Sequence, residues 1–275
     1  MTHRFPSDGL TPGKSKFLSL SLISYGLTGS LSLPRIAEHL ASADALWIGV
    51  AFSLVLVGYG FEITIVPFHF WSPDVFEGAT APISGFLSVI PKVAAFAGLI
   101  RLLIQGLPEG TIQWSAVVVG EAVITMTLGN LAALRQRRLK RLLAYSSIAQ
   151  AGYMLMALAV ARQVDAALPA IFYYLAAYLF MNIGAFAAVA HLERTLGSDR
   201  FKAVRGLGRR APAVSVVLTL SLLSLAGIPP LAGFLGKVLL FEAVLEGGLA
   251  WLAVFAAVNM VIGLFYYVRS SRRST

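Results

Sequence analysis

The sequence predicts an all-α fold, a polytopic membrane helix bundle of about eight transmembrane spans with Pro-broken helices. Three observations predict it. The chain is 57% apolar, and its apolar windows are long and recur at regular intervals, as in multi-span membrane proteins. Segments such as AVVVGEAVITMTLGNLAAL are apolar on nearly every helical face, where a soluble helix would carry a stripe with a period of about 3.6 residues. Basic residues collect in every second loop, so the formal net charge of +9 reads as membrane topology rather than as a nucleic-acid surface.

Residues 1–15 form a polar N-terminal segment without a cleavable signal pattern. Span 17–33 is serine-rich and barely long enough for a hydrocarbon core of about 30 Å. Span 45–71 carries Glu62, followed by Pro67 and His69. Span 83–104 carries Pro91 next to Lys92, and span 114–134 carries Glu121. Spans 141–162 and 168–192 follow; Tyr173, Tyr174, Tyr178, Phe180 and Phe186 of the latter read as packing and interface anchors rather than a quinone site. The window 212–246 has 35 residues and would run about 52 Å as one straight helix, well beyond the bilayer. It must be broken. Span 249–268 completes a membrane domain of 16–268, and 269–275 is a basic tail.

The alternation of charge places both termini in the cytoplasm. One side receives Arg4, Lys14 and Lys16, then the run Arg135, Arg137, Arg138, Lys140 and Arg141, the run from Arg194 to Arg210, and finally Arg269, Arg272 and Arg273. The other receives only Arg35, Arg101 and Arg162.

Ionisable residues inside spans cost several kcal/mol unless they face water, a partner or the bundle interior, so each is a functional candidate. Lys92 lies near the middle of its span, Glu62 is also deep, and Lys237 lies inside the 212–246 window just after its proline pair. Glu121 and Glu242 lie nearer span ends, where snorkelling explains them, and with His69 they are accessory candidates. Each deep charge has a proline beside it. Pro67 removes the amide that would bond the carbonyl of Ile63, Pro91 that of Leu87, and Pro229 and Pro230 those of Leu225 and Ala226. Unpaired carbonyls at membrane depth need protein or water, so charge plus helix break reads as a hydrated ion path. Span 83–104 follows 45–71 through a short loop, which makes the two antiparallel neighbours and leads to the expectation that Glu62 and Lys92 are joined directly or through one water.

Other chemistry is not encoded. Zero cysteines exclude disulfides and thiolate-held clusters, and His3, His39, His69 and His191 have no metal-ligand spacing. GLGRRA, 206–211, matches a dinucleotide string by chance, being in a basic loop with no strand before it. No catalytic residue and no metal site can be placed.

Four blocks carry a resemblance: VPFHFWSPDVFEGATAPISGFLSVIPKVAAFAGLIRLL, TLGNLAALRQRRLKRLLAYSSIAQAGYM, FYYLAAYLFMNIGAFAAVAHLE and LTLSLLSLAGIPPLAGFLGKVLLFEA. They resemble the subunit-N family of bacterial NADH:quinone oxidoreductase, respiratory complex I, antiporter-like proteins of the wider Mrp type. The resemblance runs over about 16–268 and implies inverted five-helix repeats with discontinuous helices, of which this chain would hold one complete repeat and part of another, starting in the family's sixth helix and lacking the last. It also implies proton translocation along a buried axis in which Lys92 and Lys237 match family lysines. The sequence departs from the family at Glu62, where a lysine is usual, and at Gln150, where a histidine is frequent.

The resemblance therefore implies a proton-translocating membrane-arm subunit in the bacterial inner membrane, using Glu62, Lys92 and Lys237. It would be a translocase component with no redox site of its own. NADH, flavin, iron–sulfur clusters and quinone would be held by partner subunits. Its partners would be those subunits, the lipid bilayer and protons, with no nucleic acid. An Mrp-type cation/proton antiporter component and a truncated, non-pumping structural subunit are the alternatives.

Overall fold

The computed structural model describes residues 32–40, 44–107 and 113–274. In order, the helices are α1 (Leu33–Leu40), α2 (Ala45–Ile63), α3 (Trp71–Gly78), α4 (Ala81–Arg101), α5 (Trp114–Leu134), α6 (Leu139–Leu158), α7 (Ala167–Leu196), the short α8 (Phe201–Val204) and α9 (Leu207–Arg210), α10 (Pro212–Ala226), α11 (Ala232–Glu246) and α12 (Ala250–Ser274). A π-helical turn, Leu102–Gly106, extends α4. Among the described residues there is no strand, only an isolated bridge between Arg138 and Arg200.

Contacts divide the chain into two units. One comprises Met1–Tyr59 with Gly98–Ile112, and the other Gly60–Ala97 with Gln113–Thr275. In the first, α1 packs on the π-helical turn, and a Cβ at Gly98 would lie 2.7 Å from the Tyr59 hydroxyl.

The second unit is built around α6. Every residue of α6 except Arg141 and Tyr145 is buried, and α5, α7, α11 and α3 pack against it. Small residues permit the closest of these contacts. A Cβ at Gly129 would sit 2.6 Å from the Ala149 amide nitrogen, and one at Gly152 2.6 Å from that of Met126. This is how membrane helices bring their backbones together. The outward faces stay apolar: Ile124 and Leu131 on α5, Phe180 and Ile183 on α7, and Val254, Val258 and Phe265 on α12 are all exposed, as a lipid-facing surface requires.

Among the described residues, five helices are long and apolar enough to cross a membrane: Leu46–Ile63, Ala81–Gly106, Trp114–Leu134, Ala167–Leu196 and Ala250–Ser271. The expected count of eight is not confirmed among them. Nearly all of the 17–33 window lies outside the described residues. The 45–71 window stops being helical at Ile63. The 212–246 window is two half-helices, and the 141–162 window, α6, is shielded by protein and so can carry serines and a glutamine. Pro91 also differs from expectation. It lies inside a continuous α4, because a helix of this length absorbs the loss of one amide donor with a local adjustment.

Within the second unit the loops sort by end. Lys140 pairs with Glu193 at 2.5 Å, Arg138 with Glu77 at 3.0 Å, and Arg141 with Glu77 at 2.8 Å and Asp74 at 3.2 Å. The Lys140 ammonium also donates to the Ala79 carbonyl, and the Glu193 carboxylate accepts the amide of Ala81. These bonds hold the end of α3 and the start of α4 against the start of α6 and the end of α7. At the opposite end Ser115 donates to the Ala159 carbonyl, and Arg162 lies over the Trp114 ring. The basic run 135–141 thus serves local ion pairing.

Candidate functional site

Both breaks come from the local sequence. After α2, Thr64 takes a φ of 68°, a conformation a β-branched residue rarely adopts. Its hydroxyl donates to the Ile63 carbonyl at 2.5 Å, satisfying the acceptor left without its helical amide. The chain then turns through 64–70, with the Val66 amide donating to Thr125 at 3.1 Å and the Trp71 indole to the Phe61 carbonyl at 3.0 Å. Between α10 and α11 the break is 227–231. Gly227 closes α10 onto the carbonyls of Leu223 and Ser224, and the Gly233 amide donates to the Ser224 hydroxyl.

Lys237, on the second turn of α11, turns back into that break. Its ammonium donates to the Leu225 carbonyl at 2.8 Å and the Ala226 carbonyl at 3.2 Å, and lies 5.0 Å from the centre of the Tyr153 ring. It is 3% exposed. The two acceptors are those that the proline pair frees, so carbonyl dipoles and a ring face occupy the place of a counter-ion.

Lys92, on α4, is also buried. Its ammonium donates to the Ser147 carbonyl and hydroxyl, both at 2.7 Å, and to the Thr64 hydroxyl at 3.3 Å. The Tyr178 ring centre lies 5.7 Å away.

α6 joins the two lysines. Ser147 holds Lys92; its neighbour Ser146 is hydrogen-bonded to the Tyr267 hydroxyl. One helical turn on, the Gln150 amide donates to Tyr267 at 3.0 Å and to the Leu225 carbonyl at 3.1 Å, the carbonyl that also holds Lys237. Tyr174 donates to the Gln150 oxygen at 2.5 Å. A branch continues from Tyr153, which accepts from Asn130 at 3.1 Å. Asn130 in turn accepts from Tyr266 at 3.0 Å and donates to Asn259, whose amide reaches Thr127 at 3.3 Å.

The remaining predicted residues are not gathered here. Glu62 is half-buried, and its carboxylate forms neither a hydrogen bond nor an ion pair with the described residues. The direct Glu62–Lys92 pair expected from neighbouring spans is thus not formed, because Ser147 and Thr64 already occupy the ammonium. His69 is buried with Nδ1 unpartnered, and Glu121 has one buried oxygen without a partner. Glu242 is exposed and lines a groove between α11 and α12 with Lys237, Phe241 and Glu246. Among the described residues no cluster of His, Asp and Glu could hold a metal ion.

Sequence reasoning missed the linking role of Gln150, Tyr267, Ser146 and Ser147. Tyr174 and Tyr178, read as packing, are buried against polar groups, whereas Tyr173 and Phe180 do face outward. The available signal was the run of serines and a glutamine in YSSIAQ within an apolar segment.

Comparison with known proteins adds the following. The family model for the transmembrane region of the NADH:quinone oxidoreductase/Mrp antiporter proteins matches residues 13–263. NADH-quinone oxidoreductase subunit N of Heliobacterium modesticaldum is 44% identical over 92% of this chain and 52% of the relative. NAD(P)H-quinone oxidoreductase subunit 2 of Synechococcus elongatus is 46% identical over 89% and 47%. The chain thus spans about half the length of the curated relatives it matches. Among solved structures, a chain of respiratory complex I from Thermus thermophilus with bound aureothin superposes with a TM-score of 0.78 at 36% identity, over 95% of this chain and 56% of that one. A chain of the Mrp complex from Dietzia gives 0.85 at 26%, over 95% and 48%.

Proposed function

The chain belongs to the NADH:quinone oxidoreductase/Mrp antiporter family of membrane proteins, and on that premise we propose that it translocates protons as a membrane-arm subunit of a quinone oxidoreductase. The observation that carries the reading is the Lys237 ammonium seated on the Leu225 and Ala226 carbonyls at a helix break. An ammonium held by dipoles rather than by a fixed carboxylate can give up and regain its proton without leaving a stranded counter-charge. Lys92, held by hydroxyls and one carbonyl, is the second protonatable station. Glu62, unpaired beside the first break, is the third, with His69, Glu121 and Glu242 as accessory groups. The redox chemistry, with NADH, flavin, iron–sulfur clusters and quinone, belongs to partner subunits. Both ends of the chain lie on the cytoplasmic side of the inner membrane, following the basic loops.

Greater identity to quinone-oxidoreductase relatives than to the Mrp chain favours this assignment over a cation/proton antiporter. The test is Lys237→Ala in membranes where this chain is the sole copy, with abundance and turnover-driven proton uptake measured together. Proton uptake should fall far more than abundance. A collapse of abundance, or unchanged uptake, refutes the role.

A further inference from the structure

Lys237 has three N–H groups on its ammonium, and the Leu225 and Ala226 carbonyls take two of them. Towards α6 the ammonium lies over the Tyr153 ring, whose centre is 5.0 Å away. A ring face attracts an ammonium within about 6 Å, so the placement of this ring decides what the lysine feels. None of the ion pairs among the described residues involves Lys237. The other titratable groups around it are Tyr173 and Tyr174 of α7, which pack on Gly236, and Tyr266 and Tyr267 of α12, which bond Asn130 and Gln150. Glu242 of α11 lines the same groove as Lys237, and α10 carries no titratable residue.

The far end of the Tyr153 ring is held from α5. Its hydroxyl oxygen lies 3.1 Å from the Asn130 side chain, and two backbone carbonyls decide which way that bond runs. A carbonyl only accepts. The Val123 carbonyl therefore takes the Thr127 hydroxyl proton at 2.7 Å, and the Phe255 carbonyl faces the Asn259 NH2 group at 3.2 Å. That NH2 group also donates to the Thr127 oxygen at 3.3 Å, which leaves the Asn259 oxygen turned to Asn130 at 3.5 Å. Asn130 must present its own NH2 group there, and the same group donates to Tyr153. The Asn130 oxygen is left for the Tyr266 hydroxyl at 3.0 Å. Asn130 is 1% exposed, with both amide protons and the oxygen engaged. α12 makes room for it at Gly263, where a Cβ would sit 3.2 Å from that oxygen.

We infer that Asn130 is a positioning residue for Lys237: fixed by Tyr266 and Asn259 of α12, its amide holds the Tyr153 ring against the ammonium and so helps set how firmly Lys237 keeps its proton. Asn130 acts on the lysine through Tyr153. A buried amide that merely joined α5, α6 and α12 would affect stability and leave the behaviour of Lys237 alone. The inference rests on the proton-translocating reading above, in which Lys237 gains and loses a proton.

The test removes one hydrogen bond from either side. Asn130→Leu takes away the donor, Tyr153→Phe keeps the ring and takes away the acceptor, the double variant takes away both, and Tyr153→Leu takes away the ring. Each is made in the full chain in native membrane vesicles, and turnover-driven proton uptake, normalised to abundance, is read across a range of pH with Lys237→Ala in parallel. A ring held less well supports the ammonium less, so the alkaline limb of the uptake profile should move towards acid. The shift should be roughly a few tenths of a pH unit in Asn130→Leu and in Tyr153→Phe, no larger in the double variant, and about one unit in Tyr153→Leu. Lower abundance with the parental limb, the result of a purely structural role, overturns the inference, as does a parental limb in Tyr153→Leu. Shifts that add in the double variant, or a shift in one single variant and not the other, overturn it too, because the two groups would then act separately. If Asn130→Leu fails to accumulate, Tyr153→Phe decides, since it breaks the same bond. Unchanged uptake in Lys237→Ala would instead refute the translocating reading, so the two failures are told apart.

Discussion

Replacing either buried lysine by methionine removes a protonatable group of similar length, yet the two changes should differ in stability. The Lys92 ammonium donates to the Ser147 carbonyl, which lies inside α6 and keeps its helical partner, and to the hydroxyls of Ser147 and Thr64. Thr64 keeps its own bond to Ile63. Lys92→Met therefore strands no acceptor and abolishes a buried charge, and a buried charge replaced by an apolar group of like volume is often neutral or stabilising. Lys237 differs, because its acceptors are the carbonyls of the last two residues of α10, upstream of the proline pair. Leu225 keeps the Gln150 amide, whereas Ala226 has Lys237 alone. Lys237→Met leaves that one buried carbonyl without a donor, at a cost of about 1–3 kcal/mol. Denaturation of the detergent-solubilised chain by a graded ionic detergent should give a midpoint for Lys92→Met at or above the parent and a lower one for Lys237→Met. Proton uptake should fall in both. Equal midpoints, or a Lys92 variant less stable than the Lys237 variant, would refute the assignment of acceptors on which this ordering rests.

Gly152→Val drives a side chain into the Met126 amide nitrogen, which a bare Cβ would already approach to 2.6 Å. Overpacking of this kind costs roughly 1–3 kcal/mol, read as reduced abundance and a lower denaturation midpoint; an unchanged midpoint would mean the α5–α6 contact is looser than described. Glu62→Gln removes a charge with no bond to break, so abundance should hold while proton uptake drops, and unaltered uptake would take Glu62 off the pathway.

Much of the site could be read in the primary structure. SLAGIPPLAGFLGK told where a helix of excess length must stop and which carbonyls it would free, and both of those carbonyls hold Lys237. That worked because a missing amide is a local, countable fact. Span limits were legible where lipid faces the helix: α5 spans Trp114–Leu134 as read. They failed for α6, whose surroundings are protein rather than lipid, so that hydropathy no longer reports its position. The direct Glu62–Lys92 contact failed for another reason. Depth and sequence proximity identified two opposite charges, but rotation of each helix about its axis decides which groups meet, and nothing local encodes it. Gln150 was legible only as an absent histidine. Its contacts come from α7, α10 and α12, separated from it by 24, 75 and 117 residues, and such long-range partners leave no trace in a window of sequence.

The burial of α6 on nearly all sides also bears on how the chain enters the bilayer. A segment with Lys140 and Arg141 at its start and Ser146, Ser147 and Gln150 near its middle partitions poorly into lipid by itself, since in hydrocarbon those groups would find no partners. α5 carries one ionisable residue, Glu121, in a largely apolar sequence, reaches α6 through a four-residue connection, and fits it at Gly129 and Gly152. The two pack as one hairpin, a unit in which the polar side chains of α6 need not face lipid alone. α6 stays exposed to lipid only until α7, α10, α11 and α12 arrive to surround it.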